Sequence, residues 1–191
     1  MDDPTVLLTA LEGGDEESAQ AAALALGAMG EAALPLLRPL TTSPCADTRW
    51  WAARALAETG ASGAIPLLAG LLHDPDEDVR ACAVLALGEL QRSEAVEPLV
   101  TALQDPSGYV ARLAGNALIR LGERAVSALI EVLEAGPPRA RVNAARALAA
   151  LEAPEAIPTL IRALEDPSAL VVHYAEEALE KLGVGMIFFQ P

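Results

Sequence analysis

Between Val79 and Leu90 the apolar side chains Val79, Ala83, Ala86, Leu87 and Leu90 stand at offsets of 0, 4, 7, 8 and 11. Those offsets trace one face of a helix with 3.6 residues per turn. The stripe returns as Ala52, Ala55 and Leu56, as Val110, Ala114, Ala117, Leu118 and Leu121, and as Val171, Ala175, Ala178, Leu179 and Leu182. Ahead of each stripe lies a shorter apolar run ("IPLLAGLL", "VEPLVTAL", "VSALIEVL", "IPTLIRAL"). In several periods an Asp-Pro or Ser-Pro turn separates run from stripe. The pattern predicts two helices per period. The first is short and carries proline near its start, where a missing N–H costs nothing. Pro39 and Gly70, in equivalent positions, are expected to bend or weaken that helix. Gly30, Gly60, Gly122 and Gly183 sit where a residue just past a helix end belongs.

The period is 30 or 31 residues, set by Asp74, Asp105 and Asp166 with Ala135 in the same register. It divides the chain into stretches of roughly 4–30, 31–60, 61–91, 92–122, 123–152 and 153–183, with an apolar tail at 184–191. One helical hairpin cannot bury its apolar face alone. Stacked copies bury a continuous core, provided each presents the same face at the same spacing. The expected fold class is therefore an all-α solenoid.

Composition narrows the packing and the partners. Hydrophobic residues make up 52% and aromatics only 3%, so the core is built from Ala, Leu and Val. Such a core favours closely packed helices. A net charge of −14 counts against binding to nucleic-acid backbones or an anionic membrane. Solubility alone is the plain alternative account of that charge. The opening "MDDPTVLLTALEGGDEE" lacks a basic n-region, and no apolar run approaches the length of a membrane span. Cys45 and Cys82 occupy non-equivalent positions with no CxxC, as in a reduced, cytoplasmic protein with structural or incidental thiols.

The residues Asp74, Pro75, Val79, Arg80, Ala83, Ala86, Leu87 and Leu90 spell Asp-Pro, Val-Arg, Ala-x-x-Ala-Leu-x-x-Leu. This pattern resembles the short bacterial HEAT repeats called phycobilisome-lyase-like, and the resemblance covers nearly the whole chain. It implies a right-handed α-α superhelix of about six hairpins, with the second helices lining the concave side. It also implies that Asp74, Asp105, Arg49, Arg80 and Arg141 bond across neighbouring repeats in a structural role. Ala111 and Val172 replace the arginine, so the resemblance does not carry a continuous ladder through the fourth and sixth periods.

On the side of the second helix opposite the core stripe stand Asp78, Ala81, Cys82, Leu85 and Glu89 in the third period. Equivalent positions elsewhere hold Trp50, Trp51, Arg54, Tyr109, Arg112, Asn116, Arg120, Asn143, Arg146, His173 and Tyr174. All four Trp and Tyr residues of the chain fall there. Aromatics beside arginine are the usual composition of a protein-binding hot spot. Aromatics would supply area, Arg would pair acidic groups and Asn would fix register. The alternative is that these side chains fill space between adjacent second helices. Six of the thirteen basic residues (Arg112, Arg120, Arg124, Arg139, Arg141, Arg146) lie between 112 and 146, a patch able to steer an anion or an ordinary solvated face.

No catalytic constellation stands out. His73 and His173 occupy different positions and neither begins an HExxH, and GxSxG and P-loop patterns are missing. The expectation is a protein with no catalytic residue, metal or cofactor that binds another protein or peptide segment in its concave groove. Its oligomeric state is left open. The resemblance also implies two alternatives: a phycobilin lyase or chaperone handling a tetrapyrrole, and a HEAT-like nucleic-acid binder, which the acidic charge disfavours. Met186, Ile187, Phe188 and Phe189 are expected to fold back over the last repeat or to dock into a partner.

Overall fold

The computed structural model describes residues 3–13 and 15–184. The expectation about Met186, Ile187, Phe188 and Phe189 lies outside them. Among the described residues the regular structure is helical. Helix contacts divide the chain into two compact units, Met1–Ala95 and Val96–Pro191.

The first unit holds α1 (Pro4–Gly13), α2 (Glu16–Gly27), α3 (Leu34–Leu37), α4 (Ala46–Glu58), α5 (Ala64–Leu71) and α6 (Glu77–Glu89). Here α2 packs on α4 and α4 on α6, while α5 lies against α6 and α4. The second unit holds α7 (Val96–Ala102), α8 (Gly108–Leu121), α9 (Val126–Ala135), α10 (Pro138–Leu151), α11 (Ile157–Ala163) and α12 (Ala169–Lys181). There α8, α10 and α12 pack side by side, and α7, α9 and α11 form a second row. Each unit is thus a stack of helical hairpins in the manner of an all-α solenoid.

The core stripe read from the periodicity is the core. Ala52, Ala55, Leu56, Ala83, Leu87, Val110, Ala114, Leu118, Val171, Ala175 and Ala178 are all fully buried or nearly so. Leu182 is half-buried. Burial is wider than the stripe, because a second helix has neighbours on both flanks. Ala81 and Cys82, read as part of the opposite face, are buried, and the Cys82 thiol lies 3.6 Å from the Trp50 carbonyl oxygen. Small residues allow this closeness. A Cβ on Gly27 would stand 2.3 Å from Glu58 Cβ, so α2 and α4 meet backbone to backbone there.

Pro39 acts as expected. The α-helix stops at Leu37 and a 3-10 segment, Arg38–Thr42, replaces its continuation. Gly70 does not. Helix α5 runs through it to Leu71, because glycine keeps the N–H that proline lacks. The four period-closing glycines all adopt positive φ, from 57° to 74°. Gln91 and Glu152 occupy the same place in their periods and also have φ of 52°. At Gln91 the side-chain amide donates to the Gly88 carbonyl at 2.9 Å, capping the end of α6.

The Asp-Pro turns are braced by arginine. Arg49 donates from Nη1 to its own turn at Ser43 O (2.8 Å) and from Nε and Nη2 to the next period's Asp74 carboxylate (2.6 and 2.7 Å). Asp74 also accepts the Asp76 N–H at 2.9 Å, an Asx turn that starts α6. Arg141 repeats the device on Gly136 O and Asp166, whose carboxylate accepts the Ser168 N–H. Arg80 closes its own turn on Asp74 O at 2.9 Å. In the fourth period Ala111 replaces the arginine, and Ala135-Gly136 replaces the aspartate it would reach. Both partners of that rung are missing together, which leaves no buried charge unpaired. Arg139 instead donates back to Asp105 O and Pro106 O at 2.5 and 2.7 Å.

Candidate functional site

The candidate residues form two groups, one in each unit. In the first unit Trp50 and Trp51 are half-buried on α4, with ring centroids 4.8 Å apart and planes nearly perpendicular at 87°. Edge-to-face is the preferred arrangement of two aromatic quadrupoles. Arg54, one turn along, donates to Glu58 at 2.9 Å and to Glu89 of α6 at 3.4 Å. Leu24 of α2 and Leu85 of α6 hold the positions equivalent to Arg54 and are 49% and 38% exposed. These leucines were not among the expected contact residues. An apolar residue at the repeat position held elsewhere by Arg54, Asn116, Arg146 and Glu177 was the signal that could have found them.

In the second unit Tyr109 opens α8 and is 47% exposed, with the Arg112 guanidinium 5.9 Å from its ring centre. That is within reach of a cation–π attraction. Arg112 and Arg120 are exposed on α8. Arg146 of α10 reaches across to α8, where Nη1 donates to Asn116 Oδ1 at 2.9 Å and Nη2 to the Arg112 carbonyl at 3.2 Å. Gly115 makes this possible, since a Cβ there would lie 2.6 Å from Arg146 Nη2. On α12, exposed His173 and half-buried Tyr174 have ring centroids 5.3 Å apart. Asn143 is half-buried on α10. Its amide donates to Leu103 O at 3.4 Å and Arg139 O at 3.2 Å, so it ties helices together.

Electrostatics separates the groups further. Burial holds the Arg146 guanidinium below the usual arginine range, opposed by nearby Tyr174 and reinforced by Arg112. Its Nε is buried without a hydrogen-bond partner. Burial pushes the Cys82 thiol up to about 12, which keeps it protonated and inert. Cys45 is exposed, and the Thr48 N–H holds its thiol below the usual range.

Two shallow hollows lie elsewhere. One, of about 620 Å³, is lined by Leu133, Glu134, Thr159 and Arg162 among others. The other, of about 410 Å³, lies around Thr42, Arg49, His73 and Asp74. Their charges already satisfy one another through Glu134 with Arg162 and Arg49 with Asp74. Neither contains a candidate residue. Among the described residues no group of three or more His, Cys, Asp or Glu could hold a metal ion. No described helix is long and apolar enough to cross a membrane.

The model of HEAT repeats matches residues 4–81, 66–137 and 126–184. Among solved structures, an archaeal HEAT-like repeats protein from Thermococcus onnurineus aligns with TM-score 0.62 at 18% identity, covering 95% of this chain and 80% of that one. The complex of CpcE and CpcF of phycocyanin lyase from Nostoc sp. PCC7120 aligns with TM-score 0.55 at 25% identity, covering 97% and 77%. An engineered protein aligns with TM-score 0.51 at 24% identity, covering 97% and 98%. No curated protein matches the chain.

Proposed function

The chain belongs to the HEAT-repeat family, and from that premise we propose that it is a non-catalytic binding scaffold. The working surface in each unit is the side of its second helices that carries Trp50, Trp51 and Arg54 in the first and Tyr109, Arg112, Asn116, Arg120, Arg146, His173 and Tyr174 in the second. One observation carries this proposal. Every Trp and Tyr of an aromatic-poor chain stands on that side, half-buried or exposed, rather than in the core. Rigid aromatics beside arginine give contact area at low entropic cost. The partner is another protein or a segment of one. The alignment with the complex of CpcE and CpcF supports this, since that structure is of two proteins bound to each other.

The test is affinity capture from the source cell with wild type and with the Trp50→Ala/Trp51→Ala/Arg112→Ala/Arg146→Ala variant, folding checked by circular dichroism. A protein held by wild type and lost by the folded variant supports the scaffold. Equal capture by both places the working surface elsewhere. A second proposal, handling of a tetrapyrrole, is favoured by the lyase alignment together with Trp and Arg on one side. A new visible absorption band on mixing with a bilin supports it, and an unchanged spectrum removes it.

A further inference from the structure

The repeat supplies an internal control, because Arg54 and Arg146 hold equivalent positions in their periods. Arg54 is neutralised by two carboxylates, Glu58 and Glu89. Arg146 meets none among the described residues. Of the five N–H donors of a guanidinium, two are taken, both by neutral oxygens of α8. Its surroundings add positive charge. Helices α8 ("GYVARLAGNALIRL") and α10 ("PRARVNAARALAAL") contain no acidic residue, in a chain whose net charge is −14. On α12 the nearest-register carboxylate, Glu177, is engaged by Lys181 at 2.7 Å. Arg112 is exposed beside Tyr109 and meets no carboxylate among the described residues.

A half-buried cation facing like charge is unfavourable in the free protein. An anion bound between Arg112 and Arg146 would relieve that, and a carboxylate can accept from two guanidinium groups at once. Tyr109 stands beside Arg112, and Tyr174 lies close enough to Arg146 to act on its charge. The overall negative charge repels a continuous polyanion such as nucleic acid more than a peptide with spaced carboxylates. From this geometry we infer that the face built by α8, α10 and α12 recognises an acidic peptide segment, with one Glu or Asp carboxylate bridging Arg112 and Arg146 and neighbouring apolar side chains on the tyrosines. This inference rests on the scaffold proposal and gives its partner a chemistry.

Fluorescence anisotropy tests it on the full chain with a labelled peptide of alternating Glu and Leu, its Gln-for-Glu twin, and a thymidine oligonucleotide of equal charge. The Glu peptide is expected to bind at least about tenfold tighter than the other two, and more weakly as salt rises. Arg112→Gln and Arg146→Gln should each lose about tenfold, while Arg38→Gln, which removes the same charge from the other unit, should lose little. Arg112→Gln alone suffices if Arg146→Gln fails to fold, because Arg112 is exposed. Equal binding of the Gln twin, equal or tighter binding of the oligonucleotide, retained affinity in Arg112→Gln, or no binding of the Glu peptide would each overturn it. If the peptide result fails while a captured partner still depends on the second-helix side, only the acidic chemistry falls. If capture fails too, the scaffold proposal falls with it.

Discussion

Replacing Asp74 by alanine tests whether the arginine-braced turn holds the repeats in register. The Asp74 side chain is 4% exposed, and Arg49 opposite it is 12% exposed. The substitution removes two short charge-assisted bonds from Arg49 and the bond from the Asp76 N–H. It also leaves the guanidinium desolvated with only Ser43 O to meet. Breaking such a buried pair from one side costs about 3 kcal/mol. Arg49→Met/Asp74→Ala removes both charges, so its cost should fall short of the sum of the single variants by about 2 kcal/mol. The assay is urea unfolding followed by tryptophan fluorescence. Both tryptophans, Trp50 and Trp51, lie in the unit Met1–Ala95, so the signal reports on the unit that carries the pair. A midpoint shift of about 2 M is expected.

The pH dependence follows from the same contacts. Burial raises the Asp74 carboxyl, but Arg49 and the Asp76 N–H outweigh it and hold the carboxyl below its usual value. A depressed folded pKa means stability that is fully present above the unfolded value of about 4 and lost as pH falls through the folded one. The gap between wild type and Asp74→Ala should therefore narrow below about pH 4. A cost under about 1 kcal/mol at neutral pH, or strict additivity in the double variant, would refute the bracing role.

Further outcomes follow from packing and backbone. Gly27→Ala should cost about 2 kcal/mol in thermal unfolding, because its Cβ meets the backbone of α4 at Glu58. Gly70→Ala, inside α5 with nothing within 4 Å of the new Cβ, should instead stabilise by about 0.5 kcal/mol. Glu152→Gly should stabilise by a similar amount, about 0.5 kcal/mol, since it relieves a left-handed backbone at φ 52°. A thiol reagent should modify exposed Cys45 in the native protein within minutes and reach Cys82 only in denaturant. Two thiols reacting together at neutral pH would contradict the burial described for Cys82.

The helices and their buried face were legible because Ala and Leu recur at positions that only a stacked hairpin can bury together. Gly30, Gly60, Gly122 and Gly183 announced the helix ends, since glycine is the cheapest residue at positive φ. Gln91 and Glu152 gave no such signal, and only the period places them in the same conformation. Pro39 and Gly70 looked alike as helix weakeners, but only the residue without an N–H broke its helix. The contrast between Arg54 and Arg146 was not legible. Whether an arginine finds a carboxylate depends on which side chains of the neighbouring helix face it, and that register is a property of packing. The bond from Asn143 to the Leu103 carbonyl was not legible for the same reason, because its two partners stand 40 residues apart.

The central claim is that partners are held by the second helices. Site-specific photo-crosslinking with a captured partner tests it most directly, with the crosslinker placed in turn at exposed Leu85 on α6 and exposed Arg120 on α8, both second helices, and at exposed Thr101 on α7, a first helix. The account predicts crosslinks from Leu85 or Arg120 and none from Thr101. Crosslinks from Thr101 alone would contradict it and make the first-helix row the binding surface.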